Sequence, residues 1–548
     1  MSFAPGPTIA LGSLVGSLGL FYLWLPFSIL NPFEVDWALH HDWGTNYLGW
    51  RAFCLDEWHL PLLWTRFGLW PTGFVIAFSD SIPLLSLPLK LTRTVTGCGF
   101  QFLGPFLLSS VFLMILVGAL IFRRLGWSVP DALLAALLVA LAPALFHRGH
   151  HVTLTAHWLI LLCVLGLLSP KGRLAFFFVL AQLAILISMY FMPIVLWFAL
   201  INGTFKDGRL RPGTLARSAA HVVLIAAGVL ASLYALGFFH ADGAARGFGY
   251  YSMNVLGPIN PEGRSRFLPD LPIGQPGQLY EGFQYVGLGW MCAMLIGLFC
   301  WWRQSGRDAA SKLRGALLIG TAFLFAAAAL SNKIYIGPWL VAEFPLVFPL
   351  SLIAGIFRTS GRYFWVASYV AIIAALVQIG LRLRPPYRTM TIAALVALQL
   401  ADVKLPYRVP ADLDIMLMSR ATGRSAADDL AARGVGVVQI RNEDFEHYAP
   451  LVDALIERDI AITYWYVARF PRGHVHATTA EVLQNGGAFV SARPEECRAK
   501  AAELRGTASA AYSDGWCSVH HEPGASAGRS GVSPAAESDN GEARSSGG

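Results

Sequence analysis

The residues of this chain with chemistry to offer are acids, arginines and histidines that fall beside apolar stretches. Asp36 and Asp42 lie in Asn31-Pro-Phe-Glu-Val-Asp-Trp-Ala-Leu-His-His-Asp-Trp43, close behind the first apolar run. An ionisable group at a membrane edge is costly unless it is paired or functional, and a carboxylate there can take the proton of an acceptor hydroxyl. Asp42 is the candidate base and Asp36 its reserve, although Asp42 would equally cap the helix expected over Asp42 to Phe53. Asp80, in Phe78-Ser-Asp-Ser-Ile-Pro83, is a third acid at that level, with a turn cap as its plain alternative.

Paired cations are the candidates for holding phosphate. Arg358 and Arg362 are four apart in Phe357-Arg-Thr-Ser-Gly-Arg-Tyr-Phe-Trp365, so a helical start at Ser360 would set both near a helix N-terminus, where anions are favoured. A two-pronged grip on a lipid-linked phosphate suits arginine, and a snorkelling anchor is the competing role. His147, Arg148, His150, His151 and His157 follow one another closely. His147 and His151 have metal-ligand spacing, but the segment has no Cys or acid of its own and no HExxH, so these imidazoles read as hydrogen-bonding groups and no metal site is assigned. Asp80, His150 and His157, with Tyr250, Tyr251, Asn254, Asn260 and Glu281 of a Gly/Pro-punctuated loop, are the candidate substrate-lining residues. The chain lacks a DxD pair in its first long loop, a Walker loop and a GxSxG elbow, which removes the usual signatures of nucleotide hydrolysis and serine acyl transfer.

The elements that must position these groups are apolar helices. Of the 548 residues 55% are hydrophobic and only 14% charged, against about 25% in globular chains, so this is a membrane protein and not a disordered chain, a nucleic-acid binder or a disulfide-stapled secreted module. Apolar runs near 8–30, 101–122, 131–146, 154–169, 174–189, 191–203, 217–238, 285–302, 315–331, 363–381 and 389–403 give about eleven spans. The proline-broken runs 73–91 and 338–357 read as membrane-dipping segments. Arg123, Arg124, Lys171, Arg173, Lys206, Arg209, Arg211, Arg217, Arg303, Arg307, Lys312, Arg314, Arg382, Arg384 and Arg388 fall on one side of this list, which the positive-inside rule makes cytoplasmic. That accounts for most of the +7 net charge and puts the long loops 31–97 and 239–284 outside. Trp37, Trp43, Trp50, Trp58, Trp64 and Trp70 read as interfacial anchors in preference to sugar-stacking platforms, with Trp43, Tyr47 and Trp50 on one face of a helix lying along the membrane.

The expected fold class is therefore mainly α, a polytopic helical membrane protein with a small C-terminal α/β domain outside the membrane. The domains are 1–403, 404–522 and a disordered tail 523–548. Val435 to Arg441 and Ile460 to Val467 read as buried strands. Cys497 and Cys517 can pair if that side is the periplasm, and the other five cysteines read as apolar fillers.

As a set, His41-Asp-Trp-Gly-Thr-Asn-Tyr-Leu-Gly-Trp50, Phe78-Ser-Asp-Ser-Ile-Pro83, Thr155-Ala-His-Trp-Leu-Ile160, Tyr251-Ser-Met-Asn254, Pro258-Ile-Asn-Pro261 and Arg358-Thr-Ser-Gly-Arg362 resemble a bacterial branch of the GT-C superfamily of polytopic glycosyltransferases, over about residues 1–403. The resemblance implies an inner-membrane enzyme with its site on the periplasmic face. It implies a sugar donor linked to undecaprenyl phosphate, a glycan, lipid or protein acceptor, and inverting transfer with Asp42 as base, Asp36 again in reserve. Some members use a divalent cation held by a DxD-type pair, which is missing here, so the resemblance leaves no cofactor assigned. The contrasting expectation is a transporter or flippase of lipid-linked saccharides, which would show inverted repeats and charges near the midplane.

Overall fold

Apolar segments of about twenty residues form helices because only then are their backbone groups satisfied inside a bilayer. The computed structural model describes residues 6–169, 174–242, 247–303, 308–405, 416–504 and 507–521. The expected tail 523–548 and the loop cations Lys171, Arg173 and Arg307 lie outside the described residues. Six helices are long and apolar enough to cross a membrane: Pro7–Trp24, Leu103–Arg124, Met189–Asp207, Pro212–Leu236, Ala309–Leu330 and Ser360–Arg382. Shorter apolar helices cover Val129–Ala140, Val152–Leu168, Leu174–Ile187 and Leu288–Trp302, and a further helix runs over Pro385–Asp402. Every expected span thus falls on a helix, but the short ones cannot cross alone. The 12 residues of Val129–Ala140 reach about 18 Å at 1.5 Å per residue, short of a core of about 30 Å.

The protein is a mainly helical polytopic membrane protein, and its helices pack through small residues. A Cβ on Gly118 would lie 3.1 Å from that of Ala136, so Leu103–Arg124 and Val129–Ala140 approach as closely as their backbones allow. The Trp290 indole N–H donates to the carbonyl of Leu138 at 2.7 Å, and Arg388 is ion-paired with Asp131. These contacts tie the last helices to the first.

The first long loop is a folded unit. Helix His41–Leu55 is followed by β1 (Trp64–Thr65) and β2 (Phe74–Val75), an antiparallel pair, then by a 3₁₀ turn at Ile76–Ser79 and helix Pro83–Leu91. Gly49 admits the turn: a Cβ there would sit 2.2 Å from Ser81 Oγ. Trp37, Trp43 and Trp50 are buried, Trp43 donating to the carbonyl of Gly149 at 2.9 Å and Trp50 to that of Phe100 at 3.0 Å. This corrects the expectation that these indoles are interfacial anchors, because protein covers that face; of the six tryptophans, Trp58 is the one left exposed. Cys54 is bonded to Cys98, which corrects their reading as fillers; Cys163, Cys292 and Cys300 are free, as fillers would be.

Strands β3 (Lys333–Ile336) and β4 (Trp339–Glu343) form a hairpin ahead of the short helix Leu350–Ile356. The run 338–357 thus satisfies its backbone by strand pairing, and it presents Trp339 and Phe348 at its surface. The C-terminal part holds β5 (Val437–Gln439), β6 (Ala461–Ile462), β7 (Ala488–Ser491), β8 (Ala508–Ser513) and β9 (Trp516–His521) in the order β6-β5-β7-β9-β8. The first three pair in parallel, as their intervening helices require, and β8 and β9 are antiparallel. Cys497 is bonded to Cys517. The expected strand Ile460–Val467 pairs only over Ala461–Ile462, since its outer edge is taken by the first loop: Ile462 donates to Phe67 and Trp70 donates to Ile462.

Candidate functional site

At one end of the helices, four chain segments meet around Glu281. Helix His41–Leu55 begins with Asp42 in its first turn. The turn after Pro143–His147 brings Arg148, His150 and His151 back against it. Glu281 follows the short helix Pro276–Tyr280, and Arg362 lies in the 3₁₀ turn Ser360–Tyr363.

His151 stands between two carboxylates. Its Nδ1 is 3.3 Å from Asp42 Oδ2 and its Nε2 is 3.3 Å from Glu281 Oε1. Glu281 also receives Arg362 at 2.8 Å and Arg148 at 3.0 Å, and the Arg148 guanidinium donates to the Glu281 carbonyl at 2.6 Å. The Tyr280 hydroxyl is 2.7 Å from His150 Nε2.

Charge follows from this geometry. Burial alone would raise the Glu281 carboxyl, but Arg362, Arg148 and His151 hold it well below the usual carboxylate range. Burial opposes charge on His151, and Asp42 and Glu281 overcome it, so its pKa is raised. His150 is pushed far down by burial and by the charges of His151 and Arg148. Burial raises the Asp80 carboxyl, against the pull of His151 and Arg362, which places Asp80 in the same field.

The site residues expected from sequence separate into two groups. Asp42, Asp80, His150, Glu281 and Arg362 converge here. Asp36 stands apart, paired with Arg420 at 2.7 Å. Arg358 and Arg362, expected as a pair, face different ways: Arg362 is spent on Glu281 over the Tyr190 ring, whereas Arg358 lies 5.7 Å from the ring of Tyr251. His157 is buried among helices, bonded to the Tyr369 hydroxyl at 2.8 Å and 4.2 Å from the Trp365 ring. Asn254 holds its own loop to Gln278 and to both polar groups of Gly337, and Asn260 accepts from the Leu271 N–H. Tyr250 and Tyr251 stack edge to face at the surface of that loop.

Asp42, His150 and His151 offer ligand atoms within 4.8 Å of one another, a group that could hold a metal ion. One carboxylate and two imidazoles suit zinc or manganese better than magnesium. The sequence reading found no acid near these histidines because the acid comes from a segment about a hundred residues earlier. Sequence reasoning named His151 and Arg148 in the histidine cluster without assigning them to the site, and it did not single out Tyr280. The histidine cluster was a signal for the first two, whereas nothing in the pattern marked Tyr280.

The C-terminal part faces the site as well. The 3₁₀ turn Asn442–Tyr448 packs on helix His41–Leu55. Burial and the charge of Asp42 raise the carboxyl of Glu446, and burial together with Asp42 and Glu446 pushes the Tyr466 hydroxyl up to about 12.

Residues 14–404 match the sequence profile of a family described as Domain of unknown function (DUF6311). No curated protein matches the sequence. Among solved structures, the archaeal oligosaccharyltransferase AglB from Archaeoglobus fulgidus, in complex with an inhibitory peptide and a dolichol-phosphate, is similar with a TM-score of 0.38 and 13% identity. The likeness covers 83% of this chain and 64% of the archaeal one, so the chain spans less than two thirds of that protein.

Proposed function

The chain belongs to the DUF6311 family, and we propose that it is a membrane glycosyltransferase that moves a sugar from a polyprenyl-phosphate donor to a hydroxyl acceptor. The observation that carries this reading is the Asp42–His151–Glu281 row at the end of apolar helices. A carboxylate at a helix start, backed by an imidazole and open on its other side, is what proton removal from an alcohol needs. The apolar helices beside it suit a donor that is a lipid.

In the proposed step the acceptor oxygen gives its proton to Asp42 and attacks the anomeric carbon. The bond from that carbon to the donor's phosphate oxygen breaks, its electron pair leaves with the polyprenyl phosphate, and the anomeric configuration inverts. Glu281, fixed by Arg148 and Arg362, holds His151 and so orients Asp42. Asp42, His150 and His151 would hold a divalent ion if one is used, and it would supply positive charge for the leaving phosphate. We place this site on the periplasmic face of a bacterial inner membrane. Two disulfides on the loop and C-terminal side fit an oxidising compartment.

The test is turnover of undecaprenyl-phosphate sugars by the reconstituted protein. Asp42→Asn should lower transfer by about a hundredfold or more, the scale of a lost general base, in a protein that still folds, as its circular dichroism and monodisperse elution would show. Transfer retained at the wild-type rate would sink the assignment.

A further inference from the structure

Beyond Ile462 the chain leaves the sheet and crosses the mouth of the site as a strap, Thr463 to His476. Four anchors fix it. Trp465 is buried against Phe74, ring centroids 4.8 Å apart, and the Ala468 N–H donates to the Phe78 carbonyl at 2.7 Å. The Arg469 guanidinium donates to the carbonyls of Gly355 at 2.7 Å and Ile356 at 3.0 Å, and Asp242 N–H donates to the Phe470 carbonyl at 2.9 Å. The strap thereby joins the Asp80 turn, the end of helix Leu350–Ile356 and the second long loop.

Arg469 is held at the carbonyls two and three residues ahead of Arg358. Arg358 makes no ion pair or hydrogen bond among the described residues and lies 5.7 Å from the centroid of the Tyr251 ring. Arg469 has no acid partner among the described residues either; it is half-buried, and burial together with the charge of Arg358 lowers its pKa. Elsewhere Arg51 is paired with Asp453, Arg148 and Arg362 with Glu281, and Arg388 with Asp131, whereas Arg93 and Arg314, half-buried as Arg469 is, donate to backbone carbonyls. Two neighbouring guanidinium groups with no acid between them repel, and an anion bound across them removes that cost. Beside Arg469 a cavity of about 250 Å³ is walled by Trp64, Phe74, Phe78 and Phe239, next to the end of the membrane-crossing helix Pro212–Leu236. Arg469 and Arg472 line this cavity together with the aromatic walls, which suits a phosphate joined to a hydrocarbon chain.

We infer that Arg358 and Arg469 together seat a lipid-borne phosphate ester, with Arg469 supplied by the C-terminal strap. The inference rests on the glycosyl-transfer reading only for the identity of that lipid, the donor. It moves the phosphate from the expected Arg358 and Arg362 pair to a pair drawn from two distant parts of the chain.

The experiment measures binding of labelled undecaprenyl phosphate and undecaprenol to the full chain in phosphatidylcholine nanodiscs, with unlabelled undecaprenyl phosphate, phosphatidylglycerol and inorganic phosphate as competitors. The wild-type protein should prefer the phosphorylated lipid by about tenfold or more. Arg358→Gln and Arg469→Gln should each remove most of that preference and leave undecaprenol binding unchanged, and Arg469→Lys should restore part of it. Phosphatidylglycerol competing as well as undecaprenyl phosphate supports the seat and identifies it as one for lipid phosphates in general. Inorganic phosphate competing equally well overturns the lipid part. Arg469→Gln with full preference, or with equal loss of both ligands, overturns the seat, since the second result marks Arg469 as packing only. Wild-type protein that shows the preference and transfers no sugar leaves the seat standing and removes the enzyme reading.

Discussion

His151 carries the charge balance of the site, because each of its nitrogens faces a carboxylate at 3.3 Å. Its pKa is raised above the ordinary 6.5, and a proton bound more tightly in the folded state stabilises that state. The contribution is complete below about pH 6.5 and is lost as pH rises through the raised value. Melting curves of the detergent-solubilised protein between pH 5 and 9 should therefore fall across the upper half of that range, and His151→Gln should flatten the fall. An identical slope in both proteins would remove His151 from the account. Asp42 and Glu281 were legible singly, as acids in loops beside apolar runs. Their partnership was not, because it depends on a turn after His147 that folds back to both, and spacing along the chain carries no record of such a contact. The same reason explains Asp36, the reserve candidate, whose carboxylate is paired with Arg420.

Helix His41–Leu55, which presents Asp42, is gripped from the far side by helix Ala449–Glu457 of the C-terminal part. Arg51 is the contact: it is buried, 2.7 Å from Asp453 and bonded to Glu457 as well. Asp453→Asn leaves a buried guanidinium with the more exposed Glu457 as its acid, and the cost of an under-satisfied buried charge is about 1–3 kcal/mol. The variant should lower the unfolding free energy by that order and speed amide exchange over 449–457; unchanged exchange would show that the two helices are held by apolar packing alone. The helices themselves were readable from hydropathy, since an apolar run near twenty residues has few other solutions. The strap was not. Ile460 to Val467 has the β-branched and aromatic makeup of a strand, but its edge partner was already supplied by Phe67 and Trp70, and Trp465 found a better burial site against Phe74.

At the scale of the whole molecule the two ends of the helices differ in charge and in cysteine chemistry. Arg123, Arg314 and the Arg388–Asp131 pair gather at one end, where Arg314 donates to the carbonyl of Phe205 at 3.0 Å. The other end carries Asp42, the strap and both disulfides. Basic loops favour the cytoplasm and disulfides an oxidising compartment, and both preferences agree with the orientation proposed above. Single cysteines introduced at exposed positions can test it: Phe33→Cys in the first loop, at a residue 76% exposed, and Leu210→Cys between Met192–Asp207 and Pro212–Leu236, at one 65% exposed. In intact spheroplasts a membrane-impermeant maleimide should label the Phe33 variant and spare the Leu210 variant until the cells are lysed. The reverse pattern would put Asp42 in the cytosol, where nucleotide-linked sugars are at hand and the argument for a lipid-phosphate donor loses its basis.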